Sequence, residues 1–130
     1  MSADLMRDAV ALIVEDHDAV RRALRERIQA SFVQLQLREA GSVEEALRIV
    51  ECERVDYVFM DIRLPGENGL QLTERIKTRY PDTKVVILTS YDSLEYREAA
   101  LRCGASCFLS KDSMNWEQIE ALVKSFGKVE

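Results

Sequence analysis

Five polar residues close four apolar runs in this chain. Glu15 and Asp16 follow residues 9–14, Asp61 follows residues 57–60, Thr89 follows residues 84–88, and Lys111 stands just past residues 107–109. Brought to one place, three carboxylates repel one another unless a proton or a cation intervenes. An oxygen-only set with few protein ligands and room for water suits Mg2+, with Mn2+ as a substitute, rather than Zn2+. Such an ion and Lys111 make a positive pocket around Asp61. The pocket fits a phosphoryl group, whose oxygens the two cations neutralise and to which Thr89 donates a hydrogen bond. A carboxylate can itself attack phosphorus and form an aspartyl phosphate. Asp61 is therefore the residue expected to carry the chemistry.

For these residues to meet, the apolar runs have to be parallel strands opening on one edge. Residues 9–14 are continuously apolar, as in a strand covered on both faces. Asp18 is expected to cap the next helix, whose apolar face is Val20, Leu24 and Ile28. Arg21, Arg22, Arg25, Glu26 and Arg27 take its other faces, which read as a solvated surface or a contact for a helical partner. Residues 33–37 alternate through Val33, Leu35 and Leu37 as an edge strand does. Ser42 and Glu45 have the spacing of a capping box, opening a helix with Ala46, Leu47, Ile49 and Val50. Gly69 precedes a third helix with Leu72, Ile76 and Tyr80 on one face, stopped by Pro81. Asp92 and Glu95 offer a second capping box, for a helix reaching about Arg102, with Gly104 as its stop. The last helix runs from about Asn115 to Phe126.

Strands alternating with helices predict a single doubly wound α/β domain of the flavodoxin-like kind. It has a five-stranded parallel sheet in the order 2-1-3-4-5, with helices on both faces. In that order ligands bind beyond the carboxyl ends of strands 1 and 3, where Asp16 and Asp61 stand.

The 130 residues suffice for one domain with its own core, and no linker or internal repeat divides them. The net charge of −5 argues against nucleic-acid contact by this segment. Three cysteines, Cys52, Cys103 and Cys107, form no tight pair and read as reduced thiols of a cytoplasmic protein. No stretch is long enough to span a membrane, and the start lacks a signal-peptide core.

Four segments together carry a resemblance: Val14-Glu15-Asp16, Met60-Asp61-Ile62-Arg63-Leu64-Pro65-Gly66, Leu88-Thr89-Ser90, and Gly104-Ala105 through Phe108-Leu109-Ser110-Lys111. In that order and spacing they resemble the receiver domain of bacterial two-component response regulators, over essentially the whole chain. The resemblance implies that Asp61 accepts a phosphoryl group from a sensor histidine kinase or a phosphotransfer protein. It implies that Asp16 is the main acidic metal ligand, that Glu15 acts more through water, and that the Arg63 backbone carbonyl completes the set. Lys111 pairs with the carboxylate and then with the phosphoryl group. Thr89 moves toward the phosphoryl oxygen and Phe108 turns inward with it, altering the helix 4–strand 5–helix 5 surface. That surface and the helix 1/helix 5 face are both open for a homodimer. Residues 110–113 resemble receivers joined to helix-turn-helix transcription regulators, so a truncated regulator is expected before a stand-alone receiver.

Two departures stand out. Glu15 occupies a position where Asp is frequent. Arg63 and Tyr91, two residues past Asp61 and Thr89, are bulky and flank the water route, so they are expected to prolong the phosphate's lifetime. Phe108 is also readable as a plain core aromatic; His17, beside the acid pair, invites a catalytic reading but is expected to be a surface loop residue; and Trp116 is expected to pack at the start of the last helix or to lie on a partner surface. Two alternative functions are weighed. An aspartyl-phosphate phosphatase commonly has a second Asp where Arg63 stands. A binding-only module needs no intact Asp61, Thr89 and Lys111.

Overall fold

Residues 9–32, 35–90, 93–111 and 116–125 are described by a computed structural model. Five strands alternate with five helices: β1 (Val10–Val14), α1 (Asp18–Ser31), β2 (Gln36–Ala40), α2 (Val43–Cys52), β3 (Tyr57–Met60), α3 (Gly69–Arg79), β4 (Lys84–Thr89), α4 (Leu94–Arg102), β5 (Cys107–Ser110) and α5 (Trp116–Ser125). The strands form one parallel sheet in the order β2-β1-β3-β4-β5, the flavodoxin-like arrangement that the alternation predicts.

The unbroken apolar runs are explained by two cores. Leu12, Val14, Val58, Met60, Val85 and Ile87 point to one face of the sheet, under α2, α3 and α4. Ala11, Ile13, Tyr57, Phe59, Val86 and Leu88 point to the other, where Leu24 and Ile28 of α1 and Ile119 of α5 cover them. Period-2 alternation thus sorts one apolar run between two layers. No described helix is long and apolar enough to cross a membrane.

Several local expectations are corrected. The edge strand is β2 at Gln36–Ala40, not residues 33–37; Gln36 N donates to Ala9 O at 2.9 Å, and Val33 and Gln34 lie outside the described residues. An edge strand tolerates charge, and Arg38 Nε reaches Glu53 at 2.8 Å, so polarity did not end the strand. Asp18 is the first residue of α1 rather than its cap, which is His17; no side chain caps that end. An acid there still favours the positive helix terminus. Val20 is 37% exposed, because it lies over the open carboxyl edge of the sheet rather than against a strand.

Ser42 accepts from Glu45 N as expected, but the Glu45 carboxylate takes Gly41 N at 2.6 Å instead of closing the box. For α4 the cap is Ser93, which accepts from Tyr96 N; Asp92 lies outside the described residues. Gly69 belongs to α3, whose capping box is Asn68 with Gln71. Gly104, with φ +104°, ends α4 as its conformational freedom predicts. Asn115 and Phe126, expected as the ends of the last helix, lie outside the described residues.

Candidate functional site

The ladder of parallel hydrogen bonds runs one residue past the strands and sets the backbone of the acids. Glu15 N donates to Ala40 O at 3.0 Å, Asp61 N to Val14 O at 3.1 Å, and Lys111 N to Thr89 O at 2.8 Å. Register alone therefore carries Glu15, Asp61 and Lys111 to one edge of the sheet. Helix α3 begins directly against this edge. Gly69 N donates to Ile62 O at 2.7 Å, and a Cβ at Gly69 would stand 2.1 Å from Asp61 O. Only glycine permits that approach.

The side chains converge on a lysine. Lys111 Nζ donates to Asp61 Oδ2 at 3.2 Å and also to Glu15 Oε1. Burial alone pushes the Lys111 ammonium down, but the Glu15 hydrogen bond and the charges of Asp61 and Glu15 outweigh it and raise it. Lys111 is thus held as a cation between two acids separated from it by 96 and 50 residues in sequence.

Glu15 is 1% exposed, and its second oxygen is also engaged. Oε2 accepts from His17 N at 3.2 Å and lies 3.1 Å from His17 Nδ1, which is 3.4 Å from Asp16 Oδ1. The Glu15 hydrogen bond, and then the Asp16 charge, push the His17 imidazole up. Arg21 pins the loop from behind: it donates to Glu15 O at 2.7 Å, Asp18 Oδ1 at 2.7 Å and Glu39 Oε1 at 3.0 Å.

Asp61 has one oxygen on Lys111. The other, Oδ1, is buried and has no hydrogen-bond partner among the described residues. A buried carboxylate oxygen left unpaired is costly, and Asp61 lines the same depression as Asp16, Arg63 and Lys111. An oxygen of that kind beside a second acid fits a hard divalent cation such as Mg2+.

The structure thus brings Glu15, Asp16, Asp61 and Lys111 together, with Arg63 exposed on the rim. Asp16 is the acid open to the depression; Glu15 lies behind it, engaged with Lys111 and His17. Thr89 is fully buried at the end of β4, opposite Ser110. Phe108 is not at this edge. It is 6% exposed in the core beneath α4, with the Arg97 guanidinium 5.0 Å above its ring. Tyr91 lies outside the described residues.

Sequence reasoning took His17 for a surface loop residue and Arg21 for part of a solvated or partner-binding face, and passed over Asn68 and Arg97. For Asn68 the signal was present, as the spacing to Gln71 is that of a capping box. Arg21 was hidden in a basic run that reads as a solvated face, and nothing local marks Arg97 as the partner of Phe108.

The comparisons with known proteins agree with this geometry. Residues 11–124 match the response regulator receiver domain. The chain is 40% identical over 115 residues to the DNA-binding transcriptional activator DevR/DosR of Mycobacterium tuberculosis, covering 88% of this chain and 52% of that protein. It is 38% identical over 111 residues to the transcriptional activator protein ExaE of Pseudomonas putida, covering 85% and 52%. It therefore spans about half the length of these relatives. Among solved structures, the LuxR-family two-component response regulator from Aurantimonas sp. SI85-9A1 superposes with a TM-score of 0.83 at 27% identity, covering 95% of this chain and 88% of that one. The matched segment runs from β1 into α5 and takes in every strand end just described, so the chain belongs to the response regulator receiver domain family of two-component signalling.

Proposed function

We propose that Asp61 is the phosphoacceptor of this receiver domain. The observation that carries the reading is the asymmetry of its carboxylate: Oδ2 is held by Lys111, while buried Oδ1 has no partner among the described residues, and Asp61 lines a depression shared with Asp16. Receiver domains partner histidine kinases and are generally phosphoacceptors rather than enzymes. A carboxylate oxygen of Asp61 attacks the phosphorus of the donor phosphohistidine. A P–O bond forms, the P–N bond breaks, and the imidazole leaves. Lys111 then pairs with the new phosphoryl oxygens, and the buried Thr89 hydroxyl shifts to donate to one of them. Receiver domains typically use Mg2+; Asp16, Asp61 and the Arg63 carbonyl would hold it here, with Glu15 behind them, and it would supply positive charge to the phosphoryl oxygens.

The phosphoryl group adds charge at an edge from which β4 leads to α4 and β5 leads to α5, so the α4–β5–α5 surface is the output. By analogy with the two activators, the output is control of transcription. The charge of −5 puts DNA contact elsewhere than in this segment. Arg63 on the rim, with Tyr91, slows hydrolysis by obstructing water; small residues at both positions shorten the phosphate's lifetime, and an unchanged lifetime refutes that role.

The test is incubation with acetyl phosphate and Mg2+, read by intact mass. One phosphoryl group per chain, absent in Asp61→Asn and in EDTA, is the expected result. Sustained phosphate release without a retained adduct indicates a phosphatase, and no adduct at all overturns the proposal.

A further inference from the structure

We infer that His17 makes the acid pair a site for borderline transition-metal cations of the Co2+, Ni2+ and Zn2+ class, and not for hard Mg2+ alone. The inference deepens the reading of Asp61 as a phosphoacceptor beside a divalent site. It adds one imidazole ligand beside the acid pair.

The ligand atoms of Glu15, Asp16 and His17 all lie within 4.8 Å of one another. His17 Nδ1 faces Glu15 Oε2 at 3.1 Å and Asp16 Oδ1 at 3.4 Å, so two carboxylate oxygens and a nitrogen surround one point. The cluster is built rather than accidental. Glu15 is held on its other oxygen by Lys111 and through its carbonyl by Arg21 at 2.7 Å. His17 N donates to Glu15 Oε2 at 3.2 Å, which orients the imidazole-bearing residue toward the acids.

The independent sign of a cation site is Asp61. Its side chain is 9% exposed, and its Oδ1 has no partner among the described residues. It lines the same depression as Asp16 and His17.

The donor set decides which cation benefits. Carboxylate oxygens serve Mg2+ and Mn2+, and an imidazole adds little for Mg2+, which keeps its waters. For Co2+, Ni2+ and Zn2+ an imidazole nitrogen is a preferred ligand, and affinity at such mixed sites rises along that series of metals relative to Mn2+. His17 therefore separates two classes of ion at one site: its removal is neutral for Mg2+ and costly for the transition metals.

The chain has a single histidine, so an imidazole signal has one source. His17 is 73% exposed, so its replacement leaves no cavity. The experiment uses the full chain with Cys52→Ser, which removes the exposed thiol. Calorimetric titrations with MgCl2, CoCl2 and NiCl2 are run for this protein and for its His17→Ala and His17→Gln variants. The variants are expected to lose at least about tenfold in Co2+ and Ni2+ affinity with Mg2+ affinity unchanged. Stoichiometric Co2+ is expected to shift the one histidine's ring resonances, and Asp16→Asn to abolish that shift. Unchanged Co2+ affinity in both variants, or an equal loss for Mg2+ and Co2+, overturns the inference; the latter would make His17 a tether for the acids. Failure of the parent protein to bind Mg2+ strikes instead at the phosphoacceptor reading, while the Co2+ titration still decides the role of His17.

Discussion

Gly69→Ala sets helix propensity against close packing, and the structure decides the sign. Alanine at a helical position is ordinarily better than glycine by up to about 1 kcal/mol, so a reading of α3 in isolation predicts a more stable variant. In the folded chain the new Cβ would lie 2.1 Å from Asp61 O, 3.0 Å from Asp61 C and 3.1 Å from Ile62 Cα. These are backbone atoms of the segment leaving β3, and no rotamer change relieves them. Forcing a methyl group into a filled space costs about 1–3 kcal/mol, more where backbone must move. The Gly69 N to Ile62 O bond of 2.7 Å is strained in the same displacement. A net loss of about 2 kcal/mol follows once the propensity gain is subtracted, which for a chain of this size lowers Tm by about 6–10 °C. Because the displaced segment carries Asp61, Mg2+ affinity and acetyl phosphate labelling should fall with stability. Guanidinium denaturation followed by circular dichroism measures the first effect, and intact mass the second. A variant with an equal or higher denaturation midpoint refutes the close approach of α3 to Asp61.

Other perturbations probe the same edge. Arg21→Ala removes the bonds to Glu15 O, Asp18 and Glu39; it should cost about 1 kcal/mol in stability yet weaken Mg2+ binding disproportionately, with Arg21→Lys restoring only part because one ammonium cannot make the fork. Mg2+ affinity equal to that of the parent protein contradicts the anchoring role. Lys111→Met leaves Glu15 and Asp61 without their shared cation, a loss of about 2–3 kcal/mol measured in EDTA. Because the two acids raise the Lys111 ammonium above its ordinary value, the parent's advantage over this variant is present below the ordinary lysine range and is lost as pH rises through the raised value; a deficit that does not change across that range counts against the ion pairs. Cys52 is exposed, whereas burial first of all pushes the Cys103 and Cys107 thiols up. Iodoacetamide should therefore add one label rapidly to the native chain and three after unfolding, and three equally fast labels would contradict the burial.

What could be read from the chain alone was what each segment does by itself. The apolar runs at residues 57–60 and 84–88 had no polar alternation, so they had to be covered strands. Their ends then had to carry Asp61 and Thr89 to one edge, and the alternation with helices led to the sheet order that is observed. Gly104 was legible as a helix stop for the same local reason. Local pattern could not divide the labour within the acid pair, for which only the family resemblance offered an expectation. Glu15 and Asp16 are adjacent and equally charged, yet Glu15 is buried against Lys111 while Asp16 opens on the depression. Lys111 lies 96 residues away from the acid it clasps. The limits of β2 were missed because an edge strand needs backbone partners more than apolar side chains. Arg21, His17 and the Arg97–Phe108 stack were invisible because periodicity reports which face a residue occupies, not what stands opposite that face once the strands are in register.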